Sequence, residues 1–423
     1  MADQLPDLPW STLASHFTYT PRNPSSKTPT NLVSLSKPTQ DADVRAFVTA
    51  CADAITHHAT LELAKYPETY PVLPDSEVLI SDAVVRKISP LFRQVHDSLA
   101  PFDSTNRWAA GVVDNPECRH LETDECACLI PYADRTAGAL MVEKQENDCR
   151  NFWEVNDVGL RRWELVRVLL VQGELEPILR LREHEWFSYC DWWDLRLCDC
   201  GSGDDDSSSN KLYERALLSF LCLSVLRHHP ETWPSSSSAG GADYRLTKMY
   251  QRTLREATKT GETAWLPSLM HRPFYGISED QFSAYPRARD AARWAHLGSD
   301  YWELDRNYPE GQLSYDEFLS FEKENVYVPH KEDIPQVRQT LFTAGNLPTE
   351  LVDQIMEMAE YVPRRRLNVA HDPFHPDNET ELDAYLAECW AVVVRCEVFA
   401  RAMLDEELDW HARVKYRLWL LLN

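Results

Sequence analysis

The chain has 423 residues, of which 43% are hydrophobic and 14 are tryptophan, and its formal net charge is -24. Such a composition can bury a large core, and its charge argues against broad non-specific binding to nucleic acid, whose phosphates are met by dense Lys and Arg. No apolar run reaches the roughly 18 to 20 residues of a membrane span, no basic-then-apolar leader opens the chain, and 11 cysteines, several inside helical seams, read as reduced core residues. A cytoplasmic protein with no membrane partner is expected.

Residues 1–40, rich in Pro, Ser and Thr, read as an irregular or flexible arm, and residues 41–423 as one helical domain. From Asp41 to Tyr66, Val44, Phe47, Val48, Cys51 and Ile55 share one helical face, and Ser76 to Leu99 predicts a second helix broken by Pro90. Between 118 and 143 the periodicity fades, and a small β-hairpin or an irregular insert is expected there. Leu160 to Trp186 returns to helix, with Pro177 marking a bend or a break between two helices. Two low-complexity loops, 200–210 and 234–241, bracket a helix from Leu212 to His228 that is apolar nearly all round and must be central. Tyr244 to Lys259 is an amphipathic basic helix carrying Arg245, Lys248, Arg252 and Arg255, and Arg364, Arg365 and Arg366 form a second basic cluster.

The C-terminal subregion, 347–423, carries the strongest pattern. Thr349 is placed to cap a helix bearing Leu351, Ile355 and Met358, and two prolines then hold a loop through His371-Asp372-Pro373-Phe374-His375-Pro376. Asn378 is placed to cap the next helix. In it, Leu382, Leu386, Cys389, Val393, Cys396, Ala400 and Met403 alternate four and three apart, and a last apolar helix runs from Trp410 to Leu422. The fold class is therefore mainly α, an irregular multi-helix single domain.

Three groups of residues point to chemistry. Asp405, Glu406 and Asp409 crowd carboxylates within one helical turn, which raises proton affinity and suits a general base. Asp191 and Asp194 beside Trp192 offer carboxylates against an aromatic face, a site for a guanidinium or ammonium group. The pairs Cys118, His120 and Cys126, Cys128 match zinc spacing weakly, and His371 and His375 lie in a proline-bounded turn; no metal and no cofactor are expected. Walker, dinucleotide-binding, nucleophile-elbow and zincin motifs are absent from the sequence.

Two resemblances follow. Leu347-Pro348-Thr349-Glu350-Leu351-Val352-Asp353-Gln354-Ile355-Met356 resembles the opening of an F-box, which implies an adaptor docking a ligase-scaffold protein through 347–360, although so short a segment after the motif is unusual for that family. Pro363 to Leu367, His371 to Pro376 and Cys389 to Cys396 together resemble fungal arginine-containing cyclodipeptide synthases of secondary-metabolite clusters. That resemblance implies an aminoacyltransferase joining arginine and a second amino acid, both as aminoacyl-tRNA esters, into a diketopiperazine. Under it, Asp405, Glu406 and Asp409 are catalytic, Asp191, Asp194 and Trp192 bind substrate, and Arg245, Lys248, Arg252, Arg255, Arg364, Arg365 and Arg366 meet tRNA. The sequence lacks the Asp-Asp-x-x-Glu motif associated with that family; Asp405-Glu406-Glu407-Leu408-Asp409 is the nearest, and Asp205-Asp206 is followed by Ser209 in place of the Glu.

Overall fold

A computed structural model describes residues 4–23, 28–34, 42–99, 128–145, 152–184, 187–193, 210–234, 242–259, 269–278, 281–282, 308–359, 361–404 and 407–422. Its helices are α1 (Trp10–Ala14), α2 (Ala42–Leu63), α3 (Asp82–Leu99), α4 (Ala137–Leu140), α5 (Phe152–Gln172), α6 (Glu176–Leu179), α7 (Cys190–Trp193) and α8 (Asn210–Arg227). They continue with α9 (Lys248–Thr258), α10 (His271–Tyr275), α11 (Tyr315–Leu319), α12 (Asp333–Ala344), α13 (Thr349–Met358), α14 (Glu379–Phe399) and α15 (Trp410–Leu422). Among the described residues the only strands are β1 (Phe17–Thr20) and β2 (Asn31–Ser34), an antiparallel pair with Phe17 opposite Ser34 and Thr20 opposite Asn31.

Helix α14 is the axis of the core. Its seam residues Leu382, Leu386, Cys389, Val393 and Cys396 are buried as their spacing dictates, and so are Tyr385, Trp390, Val392 and Val394 on the flanks. It packs against α8, α2 and α5, and α15 closes the bundle against α2, α8 and α9. Helix α8 is apolar on every side because it is surrounded; Leu217, Leu221, Leu223 and Val225 are all inaccessible to solvent. The seam does not end as a plain α-helix. After Phe399 the backbone widens into one π-helical turn over Ala400–Leu404.

Several local expectations resolve differently. Helix α3 runs through Pro90 without a break: Ile88, Phe92 and Val95 remain buried on its inner face, and that burial outweighs the one backbone donor the proline removes. Within the expected N-terminal arm, α1 and the hairpin dock on the core. Trp10 meets Phe47 at 4.8 Å and Phe220 at 5.4 Å between ring centroids, and Leu13, Phe17 and Leu32 are buried. Four well-placed apolar side chains are enough to fix a polar segment. The 118–143 insert lies partly outside the described residues; its described part is a 3-10 turn at Tyr132–Arg135 followed by α4.

Neither expected cap in the C-terminal subregion forms. Pro348 occupies the position before α13, and the Asn378 side chain turns away from α14. Asn378 instead accepts from the Val369 amide at 3.1 Å and donates to the carbonyls of Val369 at 2.8 Å and Asp372 at 2.7 Å. It thereby brackets His371, whose φ of 58° lies in the left-handed region. For a non-glycine residue that conformation costs about 1 kcal/mol, which the three bonds to Asn378 and the burial of Phe374 offset.

Candidate functional site

The Trp-rich string and the end of α14, far apart in sequence, meet beside the π-helical turn. Trp193 stacks on Phe399 with centroids 5.3 Å apart, and the Cys190 thiol lies 3.8 Å from the Leu404 carbonyl. Tyr213 from α8 stacks on Trp193 at 6.1 Å and meets Trp410 edge-on at 5.2 Å. On the other side Trp163 of α5 approaches Tyr189 at 5.3 Å and Phe399 at 6.1 Å. The wall is assembled by exact backbone fits. A Cβ on Gly159 would stand 2.8 Å from the Trp192 ring, so only glycine lets α5 lie against it. Trp192 itself donates Nε1–H to the Val142 carbonyl at 2.9 Å and is wholly buried.

Charged side chains lie on the helices that carry these rings. Glu164 and Arg167, one turn apart on α5, form an ion pair through Glu164 Oε1 and Arg167 Nη1, with only 7% and 1% of each residue exposed. Among the described residues, Glu164 Oε2 and Arg167 Nε and Nη2 have no hydrogen-bond partner. Burial raises the proton affinity of the Glu164 carboxyl, and the neighbouring Arg167 only partly counters it. Glu397, on the last turn of α14, accepts from Trp410 Nε1 at 2.7 Å and from Arg401 Nε at 2.5 Å. Its carboxyl is likewise raised by burial, against the lowering effect of Trp410 and Arg401. Arg401, in the π-helical turn and four residues after Glu397, also reaches Thr60 Oγ1 through Nη1 at 3.2 Å; such single turns recur at functional positions.

The arrangement therefore presents a buried acceptor and two buried donors on one ion pair, and two carboxyl groups with raised proton affinity. A carboxylate of that kind can take a proton from an amine, and a guanidinium edge can hold a carboxylate or carbonyl oxygen.

The sequence-expected residues divide. Asp405, Glu406 and Asp194 lie outside the described residues. Asp409 is exposed and accepts from the Ala412 amide at 2.9 Å, so it caps α15. Asp191 is exposed at the start of α7, and Trp192 is a core residue with its only polar atom satisfied. The basic residues are mostly engaged within the chain. Arg245 pairs with Asp243 at 2.8 Å, Arg252 donates to the Leu420 carbonyl at 2.9 Å, and Arg255 reaches Glu310 at 2.9 Å. Arg365 is buried against the Val328, Leu367 and Asn368 carbonyls and Asp333, and Arg366 pairs with Glu381 and Glu388. Lys248 is half-buried, which lowers its proton affinity, and Arg364 is exposed.

Sequence reading missed Glu164, Arg167 and Glu397. The signal was present: charged residues inside the apolar runs Trp163 to Leu170 and Cys389 to Phe399 either face outward or must be paired. Of the four residues that weakly match zinc spacing only Cys128 is described, and it is buried; among the described residues no group of three His, Cys, Asp or Glu side chains could hold a metal ion. Among the same residues no helix is long and apolar enough to cross a membrane.

The profile of the gramillins biosynthetic cluster protein GRA5 family matches residues 11–420. No curated protein and no solved structure matches the chain. The family match overturns the resemblance to arginine-containing cyclodipeptide synthases, because it assigns nearly the whole chain elsewhere. The segments that carried that resemblance have structural work in this fold: Arg365 and Arg366 tie the loop to Asp333, Glu381 and Glu388, and Cys389 and Cys396 fill the core.

Proposed function

The chain belongs to the GRA5 family, a family of secondary-metabolite biosynthesis, and from that premise we propose that it is an enzyme handling an amino-acid-derived intermediate. The observation behind this reading is the buried Glu164–Arg167 pair with its idle Oε2, Nε and Nη2. An α-amino acid or aminoacyl group supplies the complement: an ammonium or amine for Glu164 and a carboxyl or ester oxygen for Arg167. Burial of the pair excludes water and strengthens both contacts. Glu397 takes the proton as the amine attacks an acyl-ester carbon, and returns it to the alcohol oxygen that departs as the ester C–O bond breaks. Supply of the acyl group as an aminoacyl-tRNA is the more specific form of the proposal; it asks Arg364, Lys248 and the outer edges of the paired arginines to meet phosphate, and such binding would weaken steeply with salt.

Ligand-induced thermal shift with the free amino acids and their methyl esters tests the reading. Saturable stabilisation by at least one is expected, and the double variant Glu164→Gln/Arg167→Met, which replaces the ion pair with neutral groups and leaves no lone buried charge, should fold and lose it. Equal stabilisation of the double variant, or none in the wild type, would overturn the proposal.

A second reading, an adaptor acting through 347–360, is favoured by one observation. On α13, Leu351, Ile355 and Met358 are 45%, 40% and 87% exposed. Docking of a ligase-scaffold protein there would persist at high salt, where tRNA binding would not, and would be lost in Met358→Asp.

A further inference from the structure

The left-handed turn at His371 aims its imidazole into a second polar cluster, apart from the Glu164–Arg167 pair. Gly276, also left-handed with φ 70°, faces it: a Cβ there would lie 3.7 Å from His371 Cε1. The Tyr315 ring meets the imidazole edge-on at 5.9 Å, and the Tyr250 ring lies 6.1 Å beyond. Among the described residues His371 Nδ1 has no hydrogen-bond partner, and the hydroxyls of Tyr315 and Tyr250, on rings more than nine-tenths buried, have only each other within reach. Above the Tyr315 ring, 5.4 Å from its centroid, sits the Arg245 guanidinium. Its Nε and Nη2 are committed to Asp243, and Nη1 takes no part in that pair. Tyr244 donates to Asp372 at 2.7 Å and so closes the cluster with a satisfied carboxyl group.

The charges choose the ligand. Burial, with Arg365 and Arg245 nearby, pushes the His371 imidazole down to about 4, so the ring is neutral near pH 7 and its bare nitrogen is an acceptor. A carboxylate brings acceptors only and would set a lone pair against that nitrogen. An ammonium group would meet Arg245 and Arg365. A neutral group with a donor and an acceptor on adjacent atoms fits both sides.

We propose that His371, Tyr315 and Arg245 form a second binding site that takes a secondary amide, its N–H donated to His371 Nδ1 and its carbonyl oxygen accepting from Tyr315 Oη or Arg245 Nη1. The site thus reads a peptide-like bond, whichever reaction the Glu164–Arg167 pair serves. Its independence from that pair means each proposal can fail alone.

The experiment follows the imidazole nitrogens of the full chain, labelled with ¹⁵N-histidine, by NMR during titration with N-methylacetamide, acetate and methylammonium. His371→Asn assigns the resonance, because asparagine tolerates the left-handed turn. A saturable shift of His371 Nδ1 with N-methylacetamide at millimolar concentration, and little with either ion, is expected. Tyr315→Phe should weaken it roughly fivefold, the worth of one neutral hydrogen bond; if that variant does not fold, Arg245→Gln makes the same comparison. Absence of any shift with the amide, an equal shift with acetate, or a titration unchanged in the variants would each overturn the proposal.

Discussion

Helix α14 is covered on nearly every side, whereas α13, one loop earlier in the chain, buries only Val352 and Met356, and its hairpin partner α12 has no buried residue at all. Both are amphipathic enough to form helices. The difference lies in what surrounds them: α14 is enclosed by α2, α5 and α8, and α13 packs chiefly on α12. Helical periodicity therefore says that a face is apolar, and the remaining elements decide whether it becomes core or surface. Between α12 and α13 an open groove of about 390 Å³ is lined by Ile334, Arg338, Phe342 and Val352 among others.

The contrast is testable by substitution on each side of it. Trp390→Ala, at a wholly buried ring that donates Nε1–H to His58 Nδ1 at 2.9 Å, should lower the unfolding free energy by about 3 to 5 kcal/mol in urea titration. A loss under about 1 kcal/mol would mean that the surroundings of α14 collapse to fill the cavity.

An intermediate effect is expected from acid. His371 is held down to about 4 and His271 to about 3, each by burial first, against an ordinary value of 6.5. Depressed values in the folded state contribute stability above the ordinary value, lost as pH falls through 6.5 toward 4, because the unfolded chain then binds protons the folded chain refuses. For His371 this amounts to something on the order of 3 kcal/mol. His371→Asn should flatten the acid limb of stability against pH by about one proton, and an unchanged slope would show that the imidazole is as free to charge in the fold as out of it.

The smallest change belongs to the hairpin. Met358→Asp should alter stability by no more than about 0.5 kcal/mol, because the side chain touches little, while abolishing any docking through α13. A large destabilisation there would mean that α13 is held by contacts its exposure does not reveal.

Much of the architecture was legible in the residues. The four-and-three spacing from Leu382 to Cys396, the all-round apolar α8 and the terminal α15 each follow from helical geometry alone. The run through Pro90 was not legible, since the burial of Ile88, Phe92 and Val95 that sustains it depends on distant elements. The same holds for the two polar clusters. Glu164 and Arg167 announce a pairing within α5, but their burial depends on elements distant in the chain, α14 and α3 among those packed on α5. His371 and Asn378 stand in the sequence as a turn residue and a cap, and only the folded loop exchanges those roles, giving Asn378 the task of holding His371 left-handed.

The enclosure of α14 also sets an order of events during synthesis. Its partners α2 and α8, and the apolar face of α2 with Phe47, Cys51 and Ile55, leave the ribosome long before residues 379–422 are made. Until then those faces have α1 and α9 to pack against but lack the helix that forms the axis of the core. Nascent chains should remain protease-sensitive and dependent on holding chaperones until α14 and α15 emerge, and a premature stop anywhere before α14 would leave the bundle open rather than trimmed.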